Sequence, residues 1–186
     1  SHGGAIMLGR NSRLALASSA FNSNLAIASN GPGSGGTARI ERNSVVTIAD
    51  STLQQSGAQG ATSAEGGVLW IGASSDLTLS GTDILSGYLS LLGGATGKGG
   101  GVYVAANSVV TLTGSEVNAN HINSAFPQPR FGGGIYLSNG AVASLSGGAF
   151  RDNLLTRADD VDSDGGALYV SANATALIND MVFDDN

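Results

Sequence analysis

The chain lacks cysteine and has few charged or aromatic residues. Of its 186 residues, 12% are charged, 5% are aromatic, three are proline and two are histidine. The absence of cysteine excludes disulfides, thiolate metal sites and cysteine nucleophiles, so burial and backbone pairing must hold the fold together. No apolar run approaches the roughly 20 residues of a membrane-spanning helix, so no such helix is expected in this chain.

Basic residues are also scarce, which limits the possible partners. Eight Lys and Arg residues stand against 14 Asp and Glu residues, giving a formal net charge of -6. Nucleic acids and anionic membranes, which bind dense basic surfaces, are therefore disfavoured. The chain starts at one repeat signature and stops at the end of another, and we expect it to be a segment of a longer protein.

Glycine is abundant, and its spacing reveals a repeat. The chain has 29 glycines, and glycine doublets recur every 31 to 33 residues. From each doublet a block of 22 residues aligns without a gap, and connectors of 9 to 11 residues separate the blocks. The single domain 1–186 thus divides into six predicted coils, which span residues 3–24, 35–56, 66–87, 99–120, 132–153 and 165–186.

Apolar columns within the blocks predict the fold. The fourth and sixth positions are apolar throughout, and the twelfth and fourteenth positions follow the same rule, as in VVTIA and VVTLT. Period-two alternation indicates two strands, each with one face directed inward, and the apolar nineteenth position adds a third inward face. Such a coil cannot bury its apolar face alone, whereas stacked coils can. The sequence predicts an all-β, right-handed parallel β-helix of about six triangular coils, of the pectin-lyase-like kind.

Two short signatures carry a resemblance to a known family. GGAI at Gly3–Ile6 is followed by FNSN at Phe21–Asn24, and GGAL at Gly165–Leu168 is followed by FDDN at Phe183–Asn186. These paired repeats resemble those of the chlamydial polymorphic outer-membrane proteins. The resemblance implies a surface-exposed β-helical passenger of an autotransporter, with a role in adhesion to host cells.

An aromatic column is the first candidate site. The fifth position of each block points outward, and in four consecutive blocks it is aromatic. These residues, here called the aromatic stripe, are Trp70, Tyr103, Tyr136 and Tyr169. They predict a ladder at roughly 4.8 Å spacing, on which sugar rings or an apolar patch of a partner could lie. The alternative is that the connectors fold over the stripe and bury it.

An acidic connector is the second candidate site. Asp160, Asp162 and Asp164 stand at alternate positions before Gly165, as in the front half of a calcium-binding loop. Ser171 occupies the position of the bidentate Glu in such a loop, so calcium would need a further ligand such as Asp152. A solvated acidic loop without an ion is the alternative. No other cofactor is expected.

A pair of carboxylates is the third candidate. Asp83 and Glu116 share the eighteenth position of neighbouring blocks, so they are expected about one coil spacing apart, as in a retaining glycosidase. Lys98 is the only nearby base, and His2 and His121 have no partner spacing. The sequence therefore favours a titrated or cation-bridged surface pair over a catalytic one, and a non-enzymatic protein.

The expected function is that of an extracellular or cell-surface β-helix with a structural and adhesive role. Its expected partners are a protein or glycan on a host or neighbouring cell, together with flanking coils or other surface subunits. A glycan-binding module using the aromatic stripe is the first alternative. A polysaccharide-active enzyme using the acidic pair is the second.

Overall fold

The computed structural model describes residues 3–124, 127–156 and 163–186. Within these ranges the chain forms 28 short β-strands and no helix, and every paired strand runs parallel to its neighbour. The described residues accordingly contain no helix that could cross a membrane.

The strands follow one another in the same order in each coil. The first coil contains β1 (Ile6–Leu8), β2 (Arg13–Ala17), β3 (Ala20–Asn22), β4 (Leu25–Ala28) and β5 (Gly33–Ser34). The second contains β6 (Ala38–Ile40), β7 (Val45–Ala49), β8 (Thr52–Gln54), β9 (Gly57–Gly60) and β10 (Ser63–Glu65). The third contains β11 (Leu69–Ile71), β12 (Asp76–Ser80), β13 (Asp83–Leu85), β14 (Tyr88–Leu91) and β15 (Thr96–Lys98).

The later coils repeat this pattern until the chain ends. The fourth contains β16 (Val102–Val104), β17 (Val109–Thr113), β18 (Glu116–Asn118), β19 (His121–Ser124) and β20 (Arg130–Phe131). The fifth contains β21 (Ile135–Leu137), β22 (Val142–Ser146), β23 (Ala149–Arg151), β24 (Leu154–Leu155) and β25 (Ser163–Asp164). The sixth has β26 (Leu168–Val170), β27 (Thr175–Asn179) and β28 (Val182–Asp184).

Equivalent strands of successive coils stack into five parallel sheets. Sheet 1 runs from β1 through β6, β11, β16 and β21 to β26, and sheets 2 and 3 likewise start at β2 and β3 and contain six strands each. Sheets 4 and 5 start at β4 and β5 and contain five strands each. The predicted all-β parallel β-helix is thus confirmed.

Two details of the coil differ from the prediction. The chain makes five complete turns and the first three strands of a sixth, where about six coils were predicted. The coil is also more than a triangle, because the connectors contribute sheets 4 and 5. The connectors form strands because they carry their own period-two pattern, with Leu89, Leu91 and Ile122 buried and their outward neighbours more exposed.

The coil encloses two separate apolar cores. Sheets 1, 2 and 3 surround the larger core, which includes Ile71, Leu79, Leu112 and Phe150. Sheets 4 and 5 enclose a smaller core, in which Leu89, Leu91 and Ile122 pack with alanines. The second glycine of each doublet separates the two cores: a Cβ at Gly67 would collide with the carbonyl oxygens of Gly100 and Tyr88. The first glycine of each doublet has φ between 61° and 72°, which glycine adopts without a steric penalty.

Side-chain ladders close the corners between sheets. At the corner after sheet 3, the Asn120 backbone N–H donates to Asn153 Oδ1 (3.2 Å), and Asn153 Nδ2 donates to the Val117 carbonyl oxygen (2.7 Å). Both asparagines are fully buried. Because a buried backbone N–H or C=O without a partner is costly, these amides replace the backbone pairing that a corner interrupts.

Candidate recognition surface

The aromatic stripe lies on the outer face of sheet 1, where each of its residues is the middle residue of a three-residue strand. In-register pairing sets Trp70 opposite Tyr103, Tyr103 opposite Tyr136, and Tyr136 opposite Tyr169. The centroids of successive rings are 6.0, 5.5 and 5.2 Å apart, with interplanar angles of 12°, 6° and 6°. The predicted ladder is therefore a stack in which ring faces lie against one another and ring edges point outward.

A cation covers the end of the stack nearer the N-terminus. The Arg39 guanidinium carbon lies 4.0 Å from the centroid of the Trp70 ring. Arg39 Nε also donates to Glu41 Oε1 at 2.9 Å, and this ion pair holds the guanidinium over the indole. The cation–π contact occupies the ring face of Trp70 that Tyr103 leaves free.

A second column runs beside the stripe and comes from sheet 5. The last residue of each strand in that sheet forms this flanking column, which consists of Ser34, Glu65, Lys98, Phe131 and Asp164. Each of these residues directly precedes a glycine doublet. The short turn at the doublet brings the flanking column against the stripe.

Three residues of the flanking column contact the stripe. Glu65 Oε2 accepts a hydrogen bond from Trp70 Nε1 at 3.0 Å. Lys98 Nζ lies 5.4 Å from the centroid of Tyr136, and the Phe131 ring lies 4.8 Å from that of Tyr169 at a tilt of 49°. As a result, Tyr136 is only 8% exposed, and the other stripe residues are half-buried. The connectors line the stripe from one side and leave its ring edges partly accessible.

Sequence reasoning identified the stripe but missed the flanking column. The position of the flanking column can be read from the sequence, since each of its residues directly precedes a glycine doublet. The column could not be recognised from residue types, because it mixes a hydroxyl, two acids, a base and a phenyl ring.

The environment of Tyr103 perturbs its hydroxyl. Burial, together with the negative charge of Glu65, raises the pKa of Tyr103 to about 12, and a hydrogen bond with the Ser138 side chain opposes the rise. The phenol therefore stays protonated across the physiological range. In that form it is available as a hydrogen-bond donor and acceptor.

The acidic connector lies mostly outside the described residues. Asp160 and Asp162 fall within the segment 157–162, of which the structure gives no description, while Asp164 ends β25 and is exposed. Among the described residues, no group of three or more His, Cys, Asp or Glu side chains is arranged to hold a metal ion. Calcium binding at Asp160, Asp162 and Asp164 stays a prediction.

The carboxylate pair lies on the outer face of sheet 3. Asp83 and Glu116 are register partners. Burial and the neighbouring charge of Glu116 raise the pKa of Asp83, and a backbone hydrogen bond from Glu116 opposes that rise. Glu116 itself accepts from Asn118 Nδ2 at 2.7 Å and lies 3.4 Å from the Arg151 guanidinium.

The bases around this pair differ from the sequence-based expectation. Lys98, expected to be the only nearby base, lies over the aromatic stripe, and Arg151 is the cation beside Glu116. His121 stacks on Tyr88 in sheet 4, with ring centroids 5.9 Å apart, and His2 lies outside the described residues. Among the described residues, Glu116 thus makes an exposed ion pair with Arg151 and still faces Asp83 across the strands.

Comparison of the chain with protein-family models, with curated proteins and with solved structures finds no match.

Proposed function

We propose that this chain is a segment of an extracellular surface protein, in which the parallel β-helix is both a rigid scaffold and an adhesive surface. The observation that carries this proposal is the aromatic stripe with its flanking column. Together they form a partly accessible surface that combines aromatic edges, the Tyr hydroxyls, Lys98 and Phe131. Aromatic residues of this kind are enriched in protein–protein interfaces, and Trp and Tyr are among the residues that contribute most to the binding energy.

The orientation of the rings favours a protein partner over a glycan. Sugars bind aromatic residues mainly by stacking on exposed ring faces. The ring faces here lie against one another or beneath Arg39, apart from the outer face of Tyr169 at the end of the stack. Ring edges carry partial positive charge and attract carbonyl and carboxylate oxygens. The stripe therefore fits a partner that offers backbone carbonyls, carboxylates or apolar side chains.

The resemblance of the GGAI and FNSN signatures to the chlamydial polymorphic outer-membrane proteins is the basis for the cell-surface location. A cysteine-free chain that needs no oxidation to fold suits export. Outward positions accept varied residues without loss of the core, which suits a surface protein in contact with diverse partners.

A cell-attachment assay tests this proposal. Surfaces coated with the purified chain are expected to retain cells, and the double substitution Phe131→Ala with Tyr169→Ala should abolish retention. Tyr88→Ala is the matched control, since Tyr88 stacks with His121 on sheet 4, away from the stripe. Retention that is equal for both variants would contradict a role for the stripe. Competition by soluble glycans would instead support the glycan-binding alternative.

A further inference from the structure

The outer face of sheet 2 is the most regular surface of the molecule. Its six strands, β2, β7, β12, β17, β22 and β27, are each five residues long and pair residue for residue without a bulge. Each strand presents three side chains outward. The face is therefore a grid with a spacing of about 4.8 Å across the strands and about 6.7 Å along them.

The chemistry of this face is nearly uniform. The four inner strands present small aliphatic and hydroxyl side chains and a single charge. Their outward residues are Val45, Thr47, Ala49, Asp76, Thr78, Ser80, Val109, Thr111, Thr113, Val142, Ser144 and Ser146. The chain has eight Lys and Arg residues and 14 Asp and Glu residues, and of these only Asp76 lies on the four inner strands.

The central hydroxyls of the face are available for water. Within the described part of the chain, the Thr47, Thr78 and Thr111 side chains make no hydrogen bond. The serines of the adjoining corner differ, since Ser44 Oγ donates to the Gly9 carbonyl oxygen and Ser75 Oγ to that of Glu41. The corner hydroxyls serve the fold, whereas the central threonine hydroxyls of the face do not. At the end of β22, Ser146 Oγ donates to the Leu112 carbonyl oxygen at 3.4 Å.

The face is unsuited to most macromolecular partners. It has almost no charge with which to recognise a charged polymer. Its inner strands present none of the Trp, Tyr or Arg side chains that anchor protein interfaces, and no aromatic ring for a sugar to stack on. An uncharged, extended and periodic partner fits these properties better.

From this combination we infer that the outer face of sheet 2 binds ice. Ice is uncharged and presents a two-dimensional lattice of O–H groups. Val and Thr side chains are stiff at χ1, so the grid loses little entropy when it docks. Hydroxyls without internal partners hold water at the grid positions, and the methyl groups between them order the adjacent water. This activity is separate from adhesion through the stripe.

Ice recrystallisation in the presence of the purified chain tests the inference. The chain is expected to slow the growth of ice crystals relative to an inert protein at the same concentration. Thr78→Tyr, which raises a large ring from the centre of the grid, should remove this effect. Thr52→Tyr is the matched control, because Thr52 is an outward residue of β8 in sheet 3. Both variants should keep the β-sheet circular dichroism and the melting temperature of the parent chain.

Three results would overturn the inference. Ice growth in the presence of the parent chain could equal that with the inert protein. Thr52→Tyr and Thr78→Tyr, both folded, could reduce the effect equally. The chain could sediment with crystalline cellulose and leave ice growth unchanged, which would make the face a carbohydrate surface. Cell attachment is measured independently with the stripe variants, so failure here leaves the adhesive proposal intact.

Discussion

At the scale of single residues, the alternation of inward and outward positions determines which substitutions the fold tolerates. Leu112 and Thr113 are neighbours in β17, yet Leu112 is 1% exposed in the larger core and Thr113 is exposed to solvent. Leu112→Ala should lower the free energy of unfolding by about 3 kcal/mol, because it removes buried methyl groups and leaves a cavity. Thr113→Ala should change it by less than about 0.5 kcal/mol. Urea unfolding measures both, and equal losses would contradict the assignment of the two faces.

The raised pKa of Tyr103 predicts a stability change at high pH. Its ordinary pKa is 10.0, and the folded state raises it to about 12. Folding thus favours the protonated phenol. The stabilisation that this pKa shift contributes is fully present below pH 10 and is lost as the pH rises toward 12. Ultraviolet titration of tyrosinate should show one group ionising near pH 12 that disappears in Tyr103→Phe. A titration unchanged by this substitution would contradict the assignment.

The raised pKa of Asp83 also makes the fold less stable as the pH rises, but in a lower pH range than that of Tyr103. Its stabilising contribution is present below the ordinary carboxyl value of 3.8 and is lost as pH rises through the folded-state pKa. At pH 7 the ionised Asp83 opposes Glu116 across the strands. Asp83→Asn should therefore stabilise the fold at pH 7 by about 0.5 kcal/mol, the scale of a cross-strand pair. The gain should vanish at pH 3, and a gain of the same size at both values would rule out a charge effect.

At the scale of secondary-structure elements, the corner ladders are expected to be as important as the strands. Asn153 accepts from the Asn120 N–H and donates to the Val117 carbonyl, and both groups are buried. Asn153→Ala leaves them without partners and should cost about 3 kcal/mol. Asn153→Ser should recover part of this loss, because Ser56 Oγ accepts the equivalent N–H from Asn24 at 3.3 Å. Thermal unfolding ranks the three proteins, and equal stability of the Ala and Ser variants would contradict a role for the acceptor.

The sequence was sufficient to predict some of these elements and insufficient for others. Sheets 1, 2 and 3 were predictable because large apolar residues alternate with polar ones, as in Val110 and Leu112 of β17. Sheets 4 and 5 were not, because several of their inward positions hold small residues such as Ala58, Gly60 and Ala64, whose alternation is inconspicuous.

The aromatic stripe was likewise predictable only in part. Its column could be predicted from spacing, because in-register stacking places equivalent positions side by side. The ring stacking and the contact with Phe131 could not, because they depend on side-chain torsions and on the turn at each doublet.

At the scale of the whole molecule, each coil contacts only its neighbours, so stability should depend on position along the axis. Leu16 and Leu79 occupy the same inward position in sheet 2. Leu16 lies in β2, which among the described strands pairs only with β7, and is half-buried, whereas Leu79 lies in β12 between two strands and is 0% exposed.

The same Leu→Ala change should therefore have different effects at these two positions. Leu79→Ala should cost about 3 kcal/mol and Leu16→Ala roughly half as much, because a half-buried side chain loses fewer contacts and leaves no closed cavity. Trp70, the only tryptophan, lies in the third coil and reports unfolding of the interior. Leu79→Ala should shift the urea transition seen by its fluorescence, whereas Leu16→Ala should mainly increase hydrogen exchange in the first coil. Equal shifts of the Trp70 transition would mean that all coils unfold as one cooperative unit, and the nearest-neighbour description would then fail.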